Sequence, residues 1–304
     1  MADVIIIGGG TAGLTAAVYL QRNAFQCTVM EAEEFGGRIF PTPAVDNYPG
    51  MPGVPGFEFS EKLREQAESL GAELVVRTAQ TLARKGGLWH IATQDGELSA
   101  KAVIYAAGEK QRLLGVPGET ELLGRGVASC AACDGAFFRN KDVAVVGGGN
   151  KALDDALTLS RLCNSVHLIH RRDEFRADSG TVARVKEAPN IKLHLNSIVT
   201  CIEGTRRVES ISFRGIEGGE IETIAVSGVF VAVGFVPQTG LCAGLIELDE
   251  QGYIIADESC VTSAPGLFVA GDVRRKPLRQ LVTAAADGAV AAKAAADFIT
   301  YEKE

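Results

Sequence analysis

The chain has 304 residues, a formal net charge of −8, 46% hydrophobic and 22% charged residues. That length suggests two domains of ordinary size, the balance excludes disorder, and the acidic charge argues against nucleic acid or an anionic membrane as the main partner. Glycine, at 35 residues, is about 12% against a usual ~7%, without a collagen period.

Met1-Ala2-Asp3 offers no basic n-region, and Val4–Ile7 already reads as a strand, so no secretory signal is expected. Apolar runs such as Val229–Val236 fall far short of the ~18 residues a membrane span needs. The cytoplasm is the expected compartment, and there the seven cysteines are expected mostly as reduced thiols.

The first element is a strand–turn–helix, Asp3-Val-Ile-Ile-Ile-Gly-Gly-Gly-Thr-Ala-Gly13, with the helix continuing over Leu14–Asn23 and a second strand over Cys27–Glu31. This is the βαβ opening of a dinucleotide-binding fold. Gly8 makes the tight turn, Gly10 lets a pyrophosphate approach the backbone, and Gly13 permits close helix–sheet packing. The helix N-terminus offers unpaired N–H groups and a positive dipole end to phosphates. Eighteen residues after Gly13 stands Glu31, an acceptor placed for an adenosine ribose 2′-hydroxyl. This half therefore wants an unphosphorylated adenosine, FAD or NAD.

Residues 81–107 alternate short apolar and polar stretches between turn signals, which predicts antiparallel add-on strands. Gly115-Val-Pro-Gly118 then punctuates the chain. Next comes Cys130-Ala-Ala-Cys133-Asp134. Thiols at i and i+3 can close a small disulfide ring, and a nearby helix N-terminus would lower a thiol pKa. Zinc needs two more ligands at ordered spacing, and the other cysteines (Cys27, Cys163, Cys201, Cys242, Cys260) are isolated, so no metal site is expected. Asp134 is the candidate proton carrier for thiol–disulfide exchange, against the plainer reading of a turn aspartate.

The opening motif returns at an offset of 139 as Asp142-Val-Ala-Val-Val-Gly-Gly-Gly-Asn-Lys-Ala152, with a helix over Leu153–Leu162 and a strand over Ser165–His170. Gly147 and Gly149 repeat the roles of Gly8 and Gly10, and Ala152 that of Gly13. At the position of Glu31 stands His170, followed by Arg171, Arg172 and Arg176. A carboxylate there would repel a 2′-phosphate, whereas clustered guanidiniums bind it bidentately, so this half wants NADP. His90, His167 and His194 lie in strand-like segments and carry no catalytic signal. Residues 191–233 again suggest antiparallel add-on strands, ending in a strand over Gly228–Val233 before Pro237-Gln-Thr-Gly240.

The expected fold class is α/β: two Rossmann-like dinucleotide-binding domains (three-layer ββα), one inserted into the other. Residues 1–114 plus 242–304 would form one discontinuous domain, which wants FAD or NAD, and residues 115–241 the inserted NADP-binding domain carrying the Cys-x-x-Cys; the resemblance given next implies FAD for the first and NADPH for the second.

Two nucleotide motifs with a Cys-x-x-Cys between them resemble, over the whole chain, the low-molecular-weight bacterial and archaeal-type NADPH-dependent thioredoxin reductases, class II pyridine nucleotide-disulfide oxidoreductases. Gly36-Gly37-Arg38 and Val45-Asp-Asn-Tyr-Pro-Gly50 look like the family's FAD-contacting stretch. There Gly36, Gly37 and Asn47 match, while Arg38 replaces the usual glutamine. Tyr105-Ala-Ala-Gly108 is similar to a strand end usually written Ala-Thr-Gly, with Ala107 in place of the threonine. Asn150, Lys151 (for a common serine) and Ala152 sit in what resembles the NADPH loop, and Gly234-Phe-Val-Pro-Gln-Thr239 resembles the return from the inserted domain. Gly271-Asp272 and Arg279-Gln280 look like the second FAD motif: Asp272 on the ribityl chain, Arg279 and Gln280 on the flavin, with a helix from Leu281 pointing its dipole at the pyrimidine side. The resemblance also adds Thr11 and Ala12 to the FAD contacts.

What it implies is an electron relay from NADPH through FAD and a Cys130–Cys133 disulfide to thioredoxin, by a homodimer whose domains rotate about the two punctuating turns. Three alternatives remain at this level: another donor (ferredoxin or a second flavin), another small disulfide-protein acceptor, and a flavin-linked redox sensor. A glutathione-reductase-like enzyme is disfavoured, because its cysteine pair belongs near the first flavin domain at a longer spacing.

Overall fold

The computed structural model describes residues 2–42 and 44–301; Met1 and residues 302–304, the ends of the expected first domain, lie outside the described residues. In chain order the strands and helices begin β1 (Ala2–Ile7), α1 (Thr11–Arg22), β2 (Cys27–Glu31), α2 (Gly56–Ser69) and β3 (Glu73–Val76). Then follow β4 (Thr81–Lys85), β5 (Leu88–Thr93), β6 (Gly96–Tyr105), β7 (Glu109–Gln111), β8 (Val127–Ala128) and α3 (Ala131–Asp134). Next are β9 (Asp142–Val146), α4 (Asn150–Ser160), β10 (Ser165–Ile169), α5 (Ser179–Glu187) and β11 (Ile191–His194). The chain closes with β12 (Ser197–Glu203), β13 (Ser210–Gly215), β14 (Glu222–Ala225), β15 (Gly228–Val231), β16 (Phe235–Pro237), β17 (Leu267–Val269) and α6 (Leu281–Tyr301).

Two compact units result: Met1–Lys110 with Val236–Glu304, and Gln111–Phe235. The insertion expected from the sequence is present, but the crossings fall at 110/111 and 235/236 rather than at 114/115 and 241/242. The reason is local. The chain passes between units through the short strands β7 and β16, which pair with each other, so the boundaries precede the Gly115–Gly118 and Pro237–Gly240 turns.

In the first unit the sheet order is β3-β2-β1-β6-β5-β4, with β17 also on β6. β1 pairs in parallel with β2 and β6, so its Val-Ile-Ile-Ile run is covered on both faces, as a central parallel strand requires. The period of two sorts its side chains. Val4 and Ile6 face Leu14, Ala16 and Ala17 of α1 and Ala291, Ala292 and Ala295 of α6. Ile5 and Ile7 face the opposite layer, with Leu82, Trp89 and Ile91 of the β4–β5 hairpin. Each such burial is worth ~1.5–3 kcal/mol. Small residues on α1 and α6 let the helices come close: a Cβ on Gly288 would lie 2.2 Å from the Ala12 carbonyl oxygen.

The second unit repeats the plan with the parallel order β11-β10-β9-β15-β8. Val143 and Val145 of β9 face Leu153, Ala156 and Leu159 of α4. Ala144 and Val146 face Ile202, Ile211, Phe213 and Val226, on or beside the antiparallel β12-β13-β14 meander. Each unit is thus a helix layer, a parallel sheet and an antiparallel layer, the expected ββα sandwich.

The add-on strands are antiparallel as expected over β4–β5 and β12–β14, but β6 pairs antiparallel with β5 only at its start and then runs parallel to β1 and β17, and β11 and β15 also belong to a parallel sheet. Residues 191–233 therefore divide between two layers. Strand ends shift too: the strands expected to reach His170 and Val233 stop at Ile169 and Val231.

Candidate active site

In the first unit Gly8 turns the chain from β1 into α1 with φ +113°, and a Cβ there would lie 2.3 Å from the Ala106 carbonyl oxygen. Only glycine fits. A Cβ on Gly13 would lie 1.9 Å from the Gly8 carbonyl oxygen, so the helix can start this close only without one. Thr11 and Ala12 are buried in the first turn of α1, which has no acidic residue and no side-chain cap. Its leading N–H groups therefore remain open to an anion. Gly36 donates its N–H to the Gly9 carbonyl at 2.9 Å and lays Gly37 against Gly10, so the expected stretch does meet the loop. Glu31 Oε2 accepts the Gly9 N–H at 2.7 Å, and its Oε1 accepts the N–H groups of Ala32 (2.8 Å) and Glu33 (3.1 Å). The carboxylate is fixed beside the loop, as an acceptor at the end of β2.

The second expected motif of this unit lies in a charged cluster that sequence reasoning did not foresee. Arg38 Nη1 is 2.6 Å from Glu109 Oε1 and 3.5 Å from Asp272 Oδ2. The Tyr253 hydroxyl donates to Glu109 Oε2 at 2.8 Å, and the Arg279 guanidinium stacks on the Tyr253 ring at 3.8 Å. Lys276 lies 3.8 Å from Asp272 Oδ1 and 2.9 Å from Asp287 Oδ2, and Arg274 also pairs with Asp287 at 3.0 Å. Burial pushes the carboxyl groups of Glu109 and Asp272 up, against the pull of these cations. Asp272 Oδ1 is buried and accepts no hydrogen bond among the described residues. Gly271 adopts φ +83° with its N–H donated to Asp287, and Asn47 Nδ2 donates to Gln280 Oε1 at 2.8 Å. The structure thus gathers Arg38, Asp272 and Arg279 into one network and links Asn47 to Gln280.

In the second unit Gly147 turns β9 into α4 with φ +151°, and its Cβ would lie 2.4 Å from the Ala232 carbonyl oxygen. Gly149 caps α4, which again has no acidic first turn, and Ala152 is fully buried where Gly13 stands in the other unit. Arg176 donates its backbone N–H to the Gly148 carbonyl at 2.7 Å, and Asn150 Oδ1 accepts the Asp178 N–H at 2.8 Å. The arginine segment is therefore tied to the glycine loop. Arg171, Arg172 and Arg176 form no ion pair among the described residues, and Arg171 and Arg176 are exposed. His170 differs: it is buried, stacks on Phe175, and its Nε2 lies 3.1 Å from the Glu174 carbonyl. A Cβ on Gly148 would strike its ring at 2.2 Å. Burial lowers its pKa, so the positive charge of this cluster comes from the arginines and His170 supports the loop. Gly234 turns with φ +103° and accepts the Arg112 N–H at 3.0 Å.

Cys130 and Cys133 form a disulfide with Cα atoms 5.3 Å apart, both half-buried, Cys130 capping α3. The Cys133 and Asp134 N–H groups donate to the Cys130 carbonyl at 3.2 and 3.0 Å, which sets the turn. Burial pushes the Asp134 carboxyl up to about 6, where it can exchange a proton near neutrality. A buried neighbour was not foreseen: Asp155 of α4 accepts the Ala131 N–H on Oδ1 at 3.3 Å and pairs through Oδ2 with Lys151 at 2.7 Å. Its one sequence signal is a charged residue at i+4 from Lys151 on an apolar helix face.

Cys27, Cys163, Cys242 and Cys260 are buried, and burial pushes their thiols up to about 11, 11, 12 and 12. His90 pairs with Glu97 and His167 stacks on His194. Among the described residues no group of His, Cys, Asp or Glu could hold a metal ion, and no helix is long and apolar enough to cross a membrane.

The family described as pyridine nucleotide-disulphide oxidoreductase matches residues 2–289. Thioredoxin reductase of Treponema pallidum is 43% identical over 98% of this chain and 97% of its own length. That of Mycolicibacterium smegmatis is 42% identical over 95% of this chain and 94% of its own. The crystal structure of thioredoxin reductase from Streptococcus pyogenes superposes with a TM-score of 0.93 at 38% identity, covering 99% of this chain and 98% of that one. With two glycine loops, a disulfide between them in sequence and this likeness along nearly its whole length, the chain belongs to the pyridine nucleotide-disulphide oxidoreductase family, alongside the bacterial thioredoxin reductases.

Proposed function

We propose that the chain carries electrons from NADPH through FAD to the Cys130–Cys133 disulfide, and from there to thioredoxin or a similar small disulfide protein. The observation that carries this reading is a charge reversal at the strand end of a repeated motif: Glu31 in the first unit, His170 followed by arginines that form no ion pair among the described residues in the second, with the disulfide in that second unit.

The residues of the first unit fit FAD. Gly8, Gly10, Thr11, Ala12 and Gly13 would receive the pyrophosphate, with Gly36 and Gly37 closing the loop, and Glu31 would accept from the adenosine ribose. Asp272 Oδ1, buried without a hydrogen bond among the described residues, is an acceptor suited to a ribityl hydroxyl. Arg38, Asn47, Gly271, Arg279 and Gln280 would flank the flavin. In the second unit Gly147, Gly149, Asn150, Lys151, Ala152 and Gly234 would hold NADPH, with Arg171, Arg172 and Arg176 on its 2′-phosphate. When bound, NADPH supplies a hydride and FAD the relay that delivers its two electrons to the disulfide.

The chain's own chemistry is thiol–disulfide exchange. One thiolate of the reduced pair attacks a sulfur of the partner's disulfide, forming a mixed disulfide and releasing one partner thiolate. The second cysteine then attacks the mixed bond, which restores Cys130–Cys133 and frees the partner as a dithiol. Asp134 takes the thiol proton and returns one to the leaving thiolate. The working form of this reading is a homodimer in the cytoplasm, as the resemblance of the sequence implies.

Anaerobic mixing of the flavin-loaded protein with NADPH tests the donor side: rapid bleaching of the flavin band is expected, with NADH far slower. A flavin that stays oxidised would sink the assignment. On the acceptor side, Cys133→Ser is expected to abolish reduction of thioredoxin while flavin reduction by NADPH persists. Full turnover in that variant would remove the disulfide from the relay.

A further inference from the structure

We infer that Asp155 is a positioning residue for the redox disulfide, and that Lys151 couples it to the phosphates of the nucleotide bound in the same unit. The inference rests on the NADPH reading of that loop and goes beyond it, because it links two sites through one short chain of contacts.

The geometry is compact. Asp155 lies one turn after Lys151 on α4, the i,i+4 spacing at which side chains meet. Its side chain is buried, with Oδ1 accepting the N–H of Ala131, the residue directly after Cys130, and Oδ2 accepting from Lys151 Nζ. Asp155 therefore holds the disulfide turn by its first residue. Lys151 is the second residue of α4, beside the Gly149 cap, and its side chain is 43% exposed. Lys151 is thus rooted in the helix turn where the pyrophosphate would bind, while its ammonium pairs with the buried carboxylate. Asp154, next along the chain, is exposed, and among the described residues no other cation pairs with Asp155.

The electrostatics give a direction. A buried carboxylate beside the Cys130–Cys133 turn opposes a thiolate there, and Lys151 offsets most of that field. A phosphate at the α4 N-terminus draws on the same ammonium, so Asp155 is less compensated and the dithiol form is disfavoured. Nucleotide binding should therefore shift the couple toward the disulfide, making the dithiol the stronger reductant. By linkage, the nucleotide should bind the disulfide form more tightly than the dithiol form by the same factor.

The test uses the flavin-loaded protein and 2′-phospho-ADP-ribose, which has the phosphates but no nicotinamide to exchange electrons. The Cys130–Cys133 equilibrium is read by thiol labelling in dithiothreitol redox buffers, with and without saturating ligand, and binding is measured separately by calorimetry. In the unmodified protein we expect a threefold to tenfold shift toward the disulfide, about 14 to 30 mV. Lys151→Ser should move the ligand-free equilibrium toward the disulfide and cut the ligand-induced shift below twofold. Asp155→Asn should move it toward the dithiol and likewise abolish the ligand effect. Lys151 is partly exposed, so the serine variant keeps the test alive if the buried substitution fails to fold. Binding without a shift, or a full shift in both variants, overturns the coupling alone. Absence of binding to the unmodified protein removes the nucleotide reading and the coupling with it.

Discussion

The two units open with the same buried strand, three-glycine turn and helix, and they part company at the next strand end. In the first, Glu31 is pinned by three backbone N–H groups beside the loop. In the second, His170 tucks beneath Gly148 and leaves the exposed arginines to face solvent. The middle glycine follows suit: Gly9 sits against Phe35, Gly148 against His170. The position three residues after the turn differs as well. The first helix approaches so closely that Gly13 tolerates no Cβ, while the second accommodates Ala152. The lesson is that the loop backbone recognises a pyrophosphate and the strand end recognises which nucleotide carries it.

Replacing either turn glycine should break the comparison most completely. Gly8→Val is expected to yield protein without flavin absorbance, and Gly147→Val protein that keeps flavin but shows no NADPH binding by titration. The opposite pattern would exchange the two assignments. Next in size, Arg171→Ala with Arg176→Ala should raise the KM for NADPH roughly 100-fold, each charge-assisted contact being worth ~1.5–3 kcal/mol, and leave that for NADH nearly unchanged. An equal rise for both cofactors would mean that the arginines do not read the 2′-phosphate. Glu31→Gln should weaken flavin retention about tenfold, or ~1.4 kcal/mol, as seen by reconstitution of stripped protein.

The smallest effect concerns Asp134, which has no counterpart in the first loop. Its carboxyl titrates near 6 in the folded chain against an ordinary 3.8, so the folded state holds a proton that the unfolded chain has lost. Stability is accordingly lost as pH rises from about 4 to 6 and stays lower above. Asp134→Asn should melt a few degrees higher at pH 7.5, with the gain vanishing below pH 4, while thioredoxin reduction slows and loses its rise near pH 6. A variant that melts no higher at pH 7.5 would show the carboxyl to be ordinarily solvated.

Contiguous features were legible in the chain. Both loops, the two strand ends, the cysteine pair and the ββα layering follow from short patterns in which strand period and turn chemistry act locally. Features assembled from distant segments were not. Glu109 meets Arg38 and Tyr253 across 71 and 144 residues, and neither partner carries a local signal. Asp287 sits in the first half of a mostly apolar, alanine-rich helix, and only tertiary structure brings Arg274 and Lys276 to it. The unit boundaries escaped for a related reason: Gly- and Pro-rich turns stand out in a sequence, whereas three-residue strands such as β7 and β16 do not.

The buried cysteines bear on fidelity. An enzyme that makes a nucleophilic sulfur in every cycle risks cross-linking itself to any other thiolate within reach. Four of its spare thiols are enclosed in apolar layers and stay protonated up to about pH 11 or 12, so they are poor nucleophiles under working conditions. Cys201, half-buried on β12, is less enclosed, but burial and the nearby Glu203 carboxylate push its thiol up as well. The core thus acts as insulation around a single conducting junction: electrons that reach sulfur have one exit, and the fold need not tell one disulfide from many.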